Sequence, residues 1–75
     1  MNKNINAVVP VGGNVIFKLD GCQDLPAKVY EEEGIPIIET VWELTDEQIE
    51  QIVKTKQISI AVIGKSIQPI SVQVV

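Results

Sequence analysis

The sequence predicts a small β-rich α+β domain: an antiparallel sheet with one capped α-helix over about residues 46–55, in the approximate order β-β-β-β-α-β-β. Three observations carry this reading. Isoleucine and valine supply 23 of the 75 residues and leucine only three, and β-branched side chains suit a pleated surface better than a helix. Apolar and polar residues alternate over several short windows, which is the period of a strand. One window, following Leu44, changes to helical spacing behind a strong N-terminal cap. Residues 1–75 read as a single domain.

Residues 4–11 form the first and weakest strand, with Ala7, Val9 and Val11 on one face; Pro10 confines it to an edge or breaks it. Gly12, Gly13 and Asn14 make a turn. Residues 14–19 are a clearer strand, with Val15, Phe17 and Leu19 inward and Ile16 and Lys18 outward. Asp20 and Gly21 close it, residues 22–26 form a loop, residues 27–31 a short strand, and Glu32, Glu33 and Gly34 the next turn. Residues 36–44 are the longest strand candidate, with Ile38, Thr40, Trp42 and Leu44 on one face and Ile37, Glu39, Val41 and Glu43 on the other.

The helix follows. Thr45 is its N-cap and Gln48, at the third helical position, completes a capping box. Asp46 and Glu47 complement the positive end of the helix, and Lys54 and Lys56 the negative end. Ile49, Ile52 and Val53 make an apolar stripe expected to pack on the sheet. In residues 57–63, Ile58, Ile60 and Val62 face away from Ser59, Ala61 and Ile63. Residues 64–69 connect this strand to a last one, in which Ile70, Val72 and Val74 share a face, and the two form a hairpin. The last strand ends on Val74 and Val75 with nothing behind them, so its edge is expected to be covered by another copy of the chain.

Composition excludes much chemistry. There is no histidine, no arginine and a single cysteine, so catalysis by Ser–His or Cys–His pairs is absent, as is the usual ligand set for zinc or an iron–sulfur cluster. No enzyme activity and no cofactor are expected. Apolar runs reach three or four residues, against the roughly 20 that span a bilayer. The first six residues carry one lysine and lead into no apolar stretch, so no signal peptide is expected and a cytoplasmic location follows. Without disulfide or metal, a chain this short is expected to gain stability by homo-oligomerisation.

The net charge of −4 disfavours nucleic acid, whose binding needs cations to displace counterions. It has an internal order. All ten acids lie between Asp20 and Glu50, interrupted by Lys28 alone, while residues 1–19 and 51–75 are basic. Three readings stand: a solvated acidic face, head-to-tail complementarity between copies, or mimicry of a nucleic-acid surface.

Most site-like groups have a plainer explanation. Gly12-Gly13-Asn14 precedes a strand, which a phosphate-cradling loop does not. Asp20 and Asp24 lack the spacing of a calcium loop. Glu39 and Glu43 lie four residues apart on one strand, roughly 13 Å, too far for a carboxylate pair. Cys22 has acids rather than cations beside it, which disfavours the thiolate. One segment is more suggestive. Lys65 and Ser66, between Gly64 and Gln68, combine a cation and a hydroxyl with little competing acid. With Lys54 and Lys56 nearby they are candidates for a small anionic ligand held between subunits, though an ordinary hairpin loop has the same composition. Trp42 and Tyr30 are each either core residues or exposed stacking platforms, and as platforms they join the ligand-binding candidates.

Asp24-Leu25-Pro26, the Val41-Trp42-Glu43-Leu44-Thr45 step from strand to helix, and the run Gly64-Lys65-Ser66-Ile67-Gln68-Pro69-Ile70-Ser71-Val72 together resemble short accessory proteins of tailed phages and prophages, over about two-thirds of the chain. The resemblance implies an origin and assigns no functional residue. The resulting expectation is a non-catalytic, homo-oligomeric phage-type protein that sequesters a small anionic, nucleotide-like ligand between subunits to counter host defence. The alternatives are a module that inhibits a host protein, by strand addition or by its acidic face, and a virion or assembly accessory.

Overall fold

The structure is a computed structural model that describes residues 2–18, 21, 23–62 and 70–75. Among these residues it is a β-rich α+β fold with mostly antiparallel strands and one helix: β1 (Asn6–Val8), β2 (Val15–Phe17), β3 (Leu25–Glu32), β4 (Ile35–Glu39), β5 (Val41–Glu43), α1 (Asp46–Thr55), β6 (Ile58–Val62) and β7 (Ile70–Val74). The order is the expected one, with the strand expected over residues 36–44 divided at Thr40 into β4 and β5. Leu19, Asp20, Cys22 and the expected connection over residues 64–69 lie outside the described residues. No helix among the described residues is long and apolar enough to cross a membrane. The strands form three sheets, of which β1 with β5 is a short two-stranded ladder. The chain divides into two compact units, residues 7–42 and residues 1–6 with 43–75.

The unit of residues 7–42 is built on an antiparallel meander, β2-β3-β4. β2 covers the first part of β3, with Val15 opposite Ala27 and Phe17 opposite Leu25. β4 covers the remainder, with Val29 opposite Ile38 and Glu32 opposite Ile35. Asn14 extends β2 by side-chain mimicry: its Nδ2 donates to the Val29 carbonyl at 3.0 Å and its Oδ1 accepts from the Val29 N–H at 2.9 Å. Val15 and Phe17 are partly covered and Ile16 and Lys18 exposed, as their alternation predicts. In β4 it is Ile37 that is partly covered and Ile38 that is exposed; the alternation resets at Thr40, after which Thr40, Trp42 and Leu44 are the covered set.

Two turns explain their glycines. The Pro10 carbonyl accepts from the Gly13 N–H at 2.9 Å, with Gly12 at φ 76°. Glu33 and Gly34, at φ 50° and 79°, form the two-residue loop between β3 and β4. Positive φ at both positions is the type I′ geometry that matches strand twist, and it favours Asn or Gly at the first position over Glu.

The second unit contains α1, β6 and β7. β6 and β7 are the expected hairpin, with Ile58 opposite Val74, Ile60 opposite Val72 and Val62 opposite Ile70. The Thr45 cap is also as expected: Thr45 Oγ1 accepts from Gln48 N–H at 3.2 Å, and Gln48 Oε1 accepts from Thr45 N–H at 2.8 Å. The helix closes on Lys56, a left-handed residue at φ 58° whose N–H donates to the Ile52 carbonyl.

Two expectations are corrected here. The last strand is not a sheet edge. Residues 2–5 run antiparallel beside it, with Ile5 N–H donating to the Val72 carbonyl at 2.8 Å and Val74 N–H to the Lys3 carbonyl at 2.9 Å, and with Asn4 opposite Gln73. β7 is therefore the centre of a three-stranded ladder, with β6 and residues 2–5 as its two outer strands. The helix, moreover, does not bury the stripe Ile49, Ile52 and Val53. Gln48 is buried and Gln51, Ile52 and Thr55 partly covered, while Ile49 and Val53 are exposed. Polar tethers set this rotation: Gln48 is bonded to the N-terminal segment, and Gln51 Nε2 donates to the Val75 carbonyl at 3.3 Å. Among the described residues of this unit, Ile5, Val72 and Val74 are the buried apolar ones.

Glu33→Asn is expected to stabilise the protein by about 0.5–1 kcal/mol, because asparagine adopts the left-handed conformation at lower cost than glutamate. Urea denaturation measures this; an unchanged or lowered midpoint contradicts the turn assignment.

Candidate functional site

The outer strand β6 is the surface least satisfied by the rest of its unit. Its main-chain orientation follows from that of β7. Val72 and Val74 direct their main-chain groups at residues 3 and 5. In an antiparallel ladder the N–H and C=O of one residue point to the same side, and the side alternates along the strand. Ser71 and Gln73 therefore face β6, where they are paired with Ala61 and Ser59. The N–H and C=O groups of Ile58, Ile60 and Val62 point the other way, along the outer edge, where no described residue of the unit pairs with them.

The side chains of those same residues are uncovered. Ile58, Ile60 and Val62 are 52%, 64% and 59% exposed. They share the face of the ladder that carries the buried Val72 and Val74, since directly opposed residues lie on one face. Ser59 and Ala61 occupy the opposite face and are exposed as well. An apolar row thus runs outward from a covered centre at β7 to an open edge at β6.

The outer strands of the other unit's meander, β2 and β4, carry features that block edge pairing. β4 has Pro36 and Glu39, and β2 is three residues long with Lys18 next to it. β6 has no charge, no proline and no glycine between Ile58 and Val62.

The residues expected to hold a ligand are divided between the two units and the residues outside the description. Lys65 and Ser66 lie outside the described residues. Lys54 and Lys56 are exposed at the end of α1, in the unit that contains β6. Tyr30 and Trp42 belong to the other unit. Tyr30 is half-buried, with the Lys28 ammonium 4.9 Å from its ring centroid. Trp42 is half-buried, and its Nε1 donates to Thr40 Oγ1 at 2.9 Å. Of the acidic window, Asp24, Glu31, Glu32, Glu33, Glu39, Glu43, Asp46, Glu47 and Glu50 are all exposed. Lys18 and Asp24 are 3.9 Å apart in an exposed ion pair, a geometry of little energetic weight.

A cleft of about 320 Å³ lies at the start of α1, lined by Asn2, Asn4, Asn6 and Thr45 to Gln48. Its deepest polar group is already engaged, because Gln48 Nε2 donates to the Asn4 carbonyl at 2.8 Å and to the Asn2 carbonyl at 3.1 Å. The cleft is best read as the seam where residues 2–6 dock on the helix. Sequence reasoning missed this role of Gln48, since a capping box uses the same residue and signals nothing of a distant partner. No protein-family model, curated protein or solved structure matches the chain.

Substitution at Gln48 separates the cap from the dock. Gln48→Ala removes three hydrogen bonds and is expected to cost about 2–3 kcal/mol. Gln48→Glu keeps an acceptor for Thr45 N–H, which an ordinary capping box tolerates, but sets a carboxylate against the Asn2 and Asn4 carbonyls. At neutral pH it is expected to destabilise at least as much as Gln48→Ala. Denaturation midpoints decide between them; a neutral Gln48→Glu contradicts the docking role.

Proposed function

We propose that the protein is a non-catalytic binding module that works by strand addition, with the outer edge of β6 as its docking surface. One observation supports this above others: the main-chain groups of Ile58, Ile60 and Val62, which pair with no described residue of the unit, coincide with an exposed row of their own apolar side chains. Strand addition uses both features at once. Main-chain hydrogen bonds supply affinity, and alternate side chains supply specificity. A binding role is compatible with the resemblance to phage accessory proteins.

Sequestration of a small anionic ligand between subunits is a separate reading. It rests on Lys65 and Ser66 and requires an assembly in the first place.

Native mass spectrometry of the protein isolated from the cells that express it tests the proposal. A species heavier than the single chain is expected, and any retained ligand appears in the same spectrum. Ile60→Pro is expected to reduce that species to the single chain. Proline at this position removes an N–H that points outward, so the β6–β7 ladder keeps its bonds. A heavier species that survives Ile60→Pro unchanged contradicts docking at β6.

A further inference from the structure

We infer that the occupant of the β6 edge is a second copy of the chain, paired antiparallel to β6 about a two-fold axis at Ile60. This rests on the strand-addition reading above and names its partner. Three features of the molecule point to it.

The first is the sequence of the strand, Ile58-Ser59-Ile60-Ala61-Val62. Its pattern of large and small residues reads the same in both directions. Pairing about Ile60 sets Ile60 against its own copy, Ile58 against Val62 of the partner subunit, and Ser59 against Ala61 of the partner subunit. Large apolar residues then meet on one face and small ones on the other, as an isologous two-fold interface requires.

The second is register. Ile58, Ile60 and Val62 direct their main-chain groups outward, so every opposed pair that contains them is a hydrogen-bonded pair, about six bonds in all. A slip of one residue would point outward groups at the partner's inward ones. A slip of two shortens the overlap. The five-residue strand therefore specifies one register.

The third is charge. The unit that contains β6, residues 1–6 with 43–75, has four lysines (Lys3, Lys54, Lys56 and Lys65) and four acids (Glu43, Asp46, Glu47 and Glu50) and is neutral. The other unit, residues 7–42, carries the whole net charge of −4. Like charges oppose self-association through the acidic unit, whereas two neutral units meet through an uncharged strand without that cost.

Light scattering on the full chain at tens of micromolar is expected to give twice the 8.2 kDa chain mass. Ile60→Lys is expected to halve it with the far-ultraviolet circular dichroism unchanged, since Ile60 is already exposed. Cysteine pairing tests the register independently, in a Cys22→Ser background. Ile60→Cys is expected to give a disulfide-linked dimer on oxidation, opposed Cα atoms being about 5.5 Å apart. Ile58→Cys alone is not expected to link, as the two copies are offset by roughly 13 Å, whereas Ile58→Cys mixed with Val62→Cys is. A wild-type monomer, a dimer that survives Ile60→Lys, or self-linking of Ile58→Cys overturns the inference. A complex of one copy with a different protein, abolished by Ile60→Pro, overturns the second copy while strand addition at β6 stands. A complex indifferent to both Ile60 substitutions overturns the two together.

Discussion

The carboxamide of Gln48 is the interaction on which the second unit depends. Its oxygen completes the helix cap at Thr45, and its nitrogen donates to two carbonyls of the N-terminal segment. The side chain is 3% exposed, and burial of an amide is tolerable when its donors and acceptor are engaged. Here both donors and the acceptor are. A single residue thereby connects local helix termination to a segment more than 40 residues away in sequence. With residues 2–5 held in place, Asn4 meets Gln73, whose Nε2 donates to Asn4 Oδ1 at 2.8 Å, and β7 becomes an interior strand.

That change of position decides where apolar surface is buried and where it is left open. Val72 and Val74 are covered at the centre of the ladder and Ile5 beside them, and among the described residues the buried apolar set is small. Among the described residues of the same unit, the exposed large apolar side chains lie on β6, on the helix at Ile49 and Val53, and at Val75. An edge strand with no charge or proline is a hazard in an isolated protein, because it pairs indiscriminately. The same strand becomes specific once a two-fold partner occupies it. β6 lacks the blocking features that β4 carries, which is the contrast behind the proposed docking edge.

Much of the fold is legible in the sequence because its signals are local. The period-two alternation of β2, β6 and β7, the Glu33-Gly34 loop and the Thr45–Gln48 cap each occupy a few adjacent residues. What escapes such reading is non-local. Residues 2–5 are polar apart from Ile5, and nothing in Asn2, Lys3 or Asn4 marks them as a strand partner for Gln73. Without that partner β7 reads as an edge. The helix face escapes for the same reason. Spacing selects Ile49, Ile52 and Val53 as the inward stripe, but the bonds of Gln48 and Gln51 rotate the helix so that Ile49 and Val53 turn out. The outer row of β6 was legible as a face, though not as an edge. The ligand expectation, centred on Lys65 and Ser66, lies outside the described residues.

The central claim is that Gln48 docks residues 2–5 against β7 and so leaves β6 as the outer strand. Residue-resolved amide hydrogen exchange tests it most directly. In the wild type, the amides of Ile5 and Val74, which donate across the dock, are predicted to exchange slowly. In Gln48→Ala they are predicted to become fast, while the amides of Ser59 and Ala61, which face β7, remain protected. Fast exchange at Ile5 and Val74 in the wild type, or protection there that is indifferent to Gln48→Ala, would contradict the account.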